Sequence, residues 1–87
     1  MEESKLFEIL GYVKVSPNRT KTLKSLGHEI KMPSEIARES NTSTSQVSAA
    51  LADLKRQGLV ICLNEEVRKG RLYKSTELGL KIIEFLK

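Results

Sequence analysis

Between Pro33 and Gly58 the chain opens a helix, stops it and opens another within a few residues, and this tight punctuation constrains the fold more than any other feature. Proline is tolerated in a helix's first turn, where its missing amide would have no partner, and Glu35 follows where a carboxylate meets the positive end of the helix dipole. Pro33 therefore opens a helix over 33–39, with Ile36 and Ala37 turned inward and Asn41-Thr42 breaking the pattern. Ser43 and Gln46 then make a capping box, each side chain satisfying an amide that a new helix leaves orphaned. Val47, Ala50, Leu51 and Leu54 come next at i, i+3, i+4 and i+7, the stripe of one buried face, and Gly58 supplies a left-handed terminator. The spacing predicts a second helix over 44–57, joined to the first by a short turn.

Beyond Gly58 the pattern becomes extended. Leu59 to Leu63 is apolar, Arg71 to Ser75 alternates in polarity, and the polar residues 64–70 between them contain Gly70, which together predict a β-hairpin. Upstream, Leu6, Phe7, Leu10 and Val13 predict an amphipathic helix over 4–14. Ser16-Pro17 starts another helix that Gly27 ends, its exposed face carrying Arg19, Lys21 and Lys24. Glu29-Ile30-Lys31 alternates and predicts a short strand. Thr76 is placed to cap a final helix with Leu78, Ile82, Ile83, Phe85 and Leu86 on its apolar side. Gly79 inside that helix costs about 1 kcal/mol relative to alanine, so a close helix contact is expected there. The fold expected is α+β and mostly α, about five helices with a small antiparallel sheet, in one domain over 1–87. Its parts are an N-terminal helix within 1–15, a core over 16–75 and a C-terminal helix over 76–87.

Composition narrows the function. With 39% hydrophobic and 30% charged residues, the chain reads as a folded protein with a thin core. No apolar run approaches the ~20 residues of a membrane span, and the first residues lack the apolar stretch of a secretory leader, so a cytoplasmic protein without a membrane partner is expected. Cys62, the single cysteine, sits in an apolar run and reads as a small buried hydrophobe. His28 is the only histidine and has no cysteine near it, which leaves no ligand set for zinc and no imidazole-based triad. The glycines are scattered singly rather than gathered in a phosphate-cradling loop. Neither an enzyme nor a cofactor or metal site is expected.

Two helices joined by a short turn, the second with a polar N-terminal face, make a helix-turn-helix, and a basic hairpin after them makes its wing. The outward residues Thr44, Ser45, Ser48, Ala49 and Ala52 are short enough to let helix 44–57 approach a major groove, where serine and threonine meet phosphates or base edges. Gln46 can pair with adenine if its capping role leaves it free. Arg68, Lys69 and Arg71 crowd around Gly70 and can follow a phosphate backbone, although Glu65 and Glu66 lie beside them; Ser34 can offer a hydroxyl or amide to a phosphate. The net charge is +4, and its excess falls on 16–31 and 58–75 while 32–57 is neutral. Double-stranded DNA is the expected partner. The alternative is a winged helix used as a protein interaction module in a transcription or replication assembly, because the face of helix 44–57 lacks charge. The apolar residues of the two terminal helices exceed what a small core covers: they form a homodimer interface, or the first helix packs across the last within one chain.

Several short motifs carry a resemblance over about 18–86: Pro33-Ser34-Glu35-Ile36-Ala37, Val47-Ser48, Leu51-x-x-Leu54 with Gly58-Leu59-Val60, Gly70-Arg71-x-Tyr73 and Thr76-Glu77-x-Gly79. In their order and spacing the chain resembles the small archaeal-type winged helix-turn-helix transcriptional regulators related to the MarR and ArsR families. The resemblance implies helix 44–57 in the major groove, a wing at about 64–71 on the backbone and a two-fold dimer on a palindromic site. The chain departs from that pattern at Ala49, where such proteins often carry an arginine or lysine, and at Met32, where they carry a capping threonine. It also lacks the paired cysteines that ArsR-type metal sensing needs.

Overall fold

A computed structural model describes residues 2–87. The helices are α1 (Glu3–Lys14), α2 (Pro17–Leu26), α3 (Pro33–Ser40), α4 (Thr44–Arg56) and α5 (Glu77–Leu86), with strands β1 (Val60–Cys62) and β2 (Tyr73–Ser75) between α4 and α5. Several boundaries have a local chemical cause. Ser16 Oγ accepts from Arg19 N at 3.2 Å and starts α2. The Met32 amide donates to Glu35 Oε1 at 2.8 Å, so α3 keeps half of a capping box although methionine replaces the usual hydroxyl residue. Ser43 Oγ accepts from Gln46 N at 3.2 Å and Gln46 Oε1 from Ser43 N at 3.3 Å, the full box that opens α4. At its far end Gly58, with φ of 76°, lets Leu59 N reach Leu54 O and Gly58 N reach Lys55 O, closing the helix's last carbonyls.

Helices α2, α3 and α4 pack against one another, and the core runs through Leu23, Leu26, Ile36, Val47, Leu51 and Leu54 to Leu59, Val60 and Ile82, all at or below 1% exposure. α1 crosses both α2 and α5 and contributes Ile9 and Val13. The first helix packs against the last within the chain, the alternative to a dimer interface, while Phe7 and Phe85 remain about half exposed.

β1 and β2 are antiparallel, with Val60 opposite Ser75, Ile61 opposite Lys74 and Cys62 opposite Tyr73. Both are shorter than the sequence pattern predicts. Leu59 is held in the terminator of α4, and Leu72 donates its amide to the Asn64 side chain at 2.8 Å instead of extending β2. The strand expected at 29–31 shrinks to one bridge, Lys31 with Tyr73, whose two amide–carbonyl bonds are 3.1 and 2.9 Å. Cys62 is half-buried beside Asn64 rather than a core residue. Gly79 does mark a close approach, but to the Leu59 carbonyl and not to another helix. Arg19 does not join Lys21 and Lys24 on an exposed face. It stacks 3.8 Å over the Tyr12 ring and donates to Tyr12 O and Asp53 Oδ2, fastening α2 to α1 and α4. Five helices with a short two-stranded hairpin in this order form a winged helix-turn-helix.

Candidate nucleic-acid interface

The N-terminal ends of α3 and α4 and the hairpin loop face a common space. A cleft of about 500 Å³ results, bounded by the start of α3, the outer face of α4 and the loop. Met32, Pro33 and Tyr73 give it an apolar floor, while Ser34, Thr44 and Ser48 supply hydroxyls and Lys55, Arg68, Lys69 and Arg71 supply positive charge. Ser34, Thr44, Ser48, Arg68 and Lys69 are all exposed, as a surface that meets a solvated polyanion requires.

Not every candidate residue stands alike. Ser45 and Gln46 lie at the exposed start of α4, outside the cleft lining. Gln46 Oε1 accepts from Ser43 N and from Ser43 Oγ at 3.0 Å, so its carbonyl is engaged in the cap and only its NH2 group is uncommitted. A bidentate pairing with adenine uses both ends of the amide. Arg71 is half-buried, and its Nε and Nη2 donate to Val67 O at 2.7 Å and Glu65 O at 3.1 Å. With Asn64, which donates to Gly70 O and accepts from Leu72 N, it braces the loop from within. Arg68 and Lys69 are left projecting from that braced loop.

Sequence reasoning misses Lys55. It extends the stripe Thr44, Ser48, Ala52 by one further turn of α4, a spacing that could have found it. Its ammonium pairs with the Glu65 carboxylate of the loop, both side chains being substantially exposed. One turn beyond Ser34 along α3, Arg38 is exposed and has no ion-pair partner among the described residues.

Two of the four cations in 16–31 are turned inward. Besides Arg19, Lys31 is buried, its Nζ donating to Ser25 O at 2.5 Å and pairing with Glu39 and Glu29. Burial alone would lower the pKa of this amine, but the two carboxylates outweigh it and hold it above its ordinary value. Reciprocally, the Lys31 hydrogen bond holds the Glu39 carboxyl below the usual carboxylate range. Asp53 takes both Arg19 and Arg56, which keeps the second half of α4 close to neutral. Lys21 and Lys24 remain outward on α2. Among the described residues no group of three or more His, Cys, Asp or Glu side chains is placed to hold a metal ion, and no helix is long and apolar enough to cross a membrane.

No protein-family model matches the chain, and no curated protein sequence matches it. Solved structures do. TubR bound to 24 bp of tubC, from Bacillus thuringiensis serovar israelensis pBtoxis, superposes with a TM-score of 0.77 at 16% identity, over 92% of this chain and 89% of that one. Reduced HlyU from Vibrio cholerae gives 0.76 at 25% identity, over 95% and 86%. An S. aureus MepR–DNA complex gives 0.70 at 20% identity, over 95% and 70%. The chain therefore shares the winged helix fold of these proteins across nearly its whole described length.

Proposed function

We propose that the protein is a sequence-dependent DNA-binding transcriptional regulator, with α4 in the major groove and the loop of the hairpin on the phosphate backbone. The observation that carries this reading is the cleft itself: hydroxyls from two helices and the exposed cations of the loop converge on one concave surface. Two proteins of the same fold, TubR and MepR, have been solved with DNA, which supports the reading by likeness of fold. Thr44, Ser45, Gln46 and Ser48 meet bases or adjacent phosphates, with Gln46 limited to its free NH2. Ser34 takes a phosphate at the start of α3, Arg68 and Lys69 follow the backbone, and Arg71 keeps the loop in shape for them. On this reading the chain is a binding protein and not an enzyme.

The active unit is proposed to be a homodimer. Phe7 of α1 and Phe85 of α5 meet edge to face with ring centroids 6.1 Å apart, about half exposed, beside the half-buried Leu6, Leu10 and Leu86. A two-fold pairing through this patch presents two copies of α4 to half-sites about one helical turn apart.

Selection of bound sequences from a random duplex pool tests the proposal, because it reads binding, base preference and, through palindromy, the dimer together. Recovery of a palindromic consensus is expected. Absence of binding to random duplex at micromolar protein and low salt overturns the reading in favour of the protein interaction module, for which the exposed Ile61 and Leu63 are among the apolar contacts.

A further inference from the structure

The hairpin loop is a stiff unit held to the reading helix by one side-chain ion pair. Within the loop, Asn64 fixes both Gly70 O and Leu72 N, and Arg71 fixes Val67 O and Glu65 O. Lys55 of α4 meets the Glu65 carboxylate of the loop, and among the described residues it is the one ion pair between loop and helix. Lys55 lines the same cleft as Ser48, Arg68 and Lys69. Its ammonium therefore lies where a phosphate oxygen seated between α4 and the loop would also compete for it, and Glu65 already occupies it.

We infer that Lys55 is a phosphate-binding residue of the cleft and that Glu65 is its intramolecular competitor, so that the pair filters out loosely seated duplex. The inference rests on the DNA-binding reading and deepens it. A duplex held only by Arg68 and Lys69 leaves Lys55 with Glu65. A duplex seated deeply enough to bring a phosphate to Lys55 exchanges one partner for another and pushes its own negative charge against the displaced carboxylate. Net gain from Lys55 then requires displacing Glu65, which only a closely seated duplex repays, so Glu65 lowers non-specific binding more than specific binding.

The pair makes this separable from a general charge effect. Glu65→Gln is nearly isosteric and leaves the Arg71 bond intact, because Arg71 uses the main-chain carbonyl of Glu65. Glu66→Gln makes the same change of charge next door, where the residue has no ion-pair partner among the described residues. Affinity for a random-sequence duplex is measured against salt for the wild type, E65Q, E66Q, K55A and K55A/E65Q, with thermal melts to confirm folding. E65Q is expected to bind roughly two- to fivefold tighter, the range of an exposed ion pair, with a salt slope steeper by about 0.9, one added phosphate contact. E66Q is expected to leave the slope unchanged, and E65Q to gain nothing on the K55A background. An E65Q gain that persists undiminished without Lys55, or that E66Q matches, overturns the filter while leaving DNA binding intact. A wild type without salt-dependent duplex binding overturns the DNA reading itself and the filter with it.

Discussion

Gly79 packs its bare α-carbon against Leu59 so closely that a β-carbon there would lie 2.1 Å from the Leu59 carbonyl oxygen. That oxygen is not free to retreat, because it also accepts from Thr76 N at 3.0 Å. In an exposed helix, Gly→Ala would gain about 1 kcal/mol. Here the clash reverses the sign, and Gly79→Ala is expected to lose about 2 kcal/mol or more in urea unfolding, the cost of overpacking a fixed site. A stabilised variant would mean that α5 can lift off the hairpin without penalty.

Thr22 is fully buried and its hydroxyl has no partner among the described residues. Its isosteric replacement, Thr22→Val, removes a desolvated polar group without opening a cavity, and a gain of about 1 kcal/mol is expected. A lower thermal midpoint would show that the hydroxyl is satisfied in solution.

Lys31 ties α2 and α3 beneath the hairpin, and its ammonium is favoured by folding. A pKa raised in the folded state gives stability that is complete below the ordinary value of 10.5 and lost as pH climbs through the raised value. Wild-type unfolding midpoints should accordingly fall in the alkaline range above about 10.5, and more steeply than those of Lys31→Met, in which the difference disappears. Glu39, whose pKa is lowered, gives the opposite limb: its contribution is present above 4.5 and lost on acidification. Parallel alkaline profiles for wild type and K31M would remove Lys31 from the account.

In DNA binding, Arg68→Ala with Lys69→Ala should weaken affinity for all sequences and reduce the salt slope by about 1.8, two phosphate contacts. Arg71→Ala should instead loosen the loop, read as faster amide exchange over 64–72, with a smaller change of slope. Gln46→Ala should cost about 0.5–1 kcal/mol of stability through the lost half of the capping box, and shift base preference less than Ser48→Ala. A larger base-preference change at Gln46 than at Ser48 would put its NH2 at a base edge.

The helix boundaries were legible because caps are local. Ser16, Ser43 with Gln46, Gly58 and Thr76 each act on amides or carbonyls within a few residues, and that chemistry survives without knowledge of the rest of the chain. Charge was not legible in the same way. Arg19 turns inward because Tyr12 and Asp53 come to it from two other helices, and Lys31 because Ser25 and Glu39 do. A segment sum counts both as surface positive charge, and so places on α2 a potential that only Lys21 and Lys24 supply. The site divides along the same line. The helical stripe brings Thr44 and Ser48 to the cleft, as periodicity predicts, whereas the brace made by Arg71 and the pairing of Lys55 depend on where the hairpin loop folds. Strand lengths were overestimated for a related reason: side chains such as Asn64 take amides that a ladder would otherwise use.

Thr76 has a mechanical consequence. Its amide and hydroxyl hold Leu59 O and Gly58 O while the same hydroxyl caps α5 through Gly79 N, so the root of the hairpin and the root of the last helix share one fulcrum with no slack between them. At 1.5 Å of rise per residue, Phe85 sits roughly 13 Å along that arm. Shifting Phe85 sideways by about 2 Å therefore amounts to a tilt of about 9° at Thr76. The Phe7–Phe85 patch and the root of the hairpin are thus fastened to opposite ends of the same ten-residue helix.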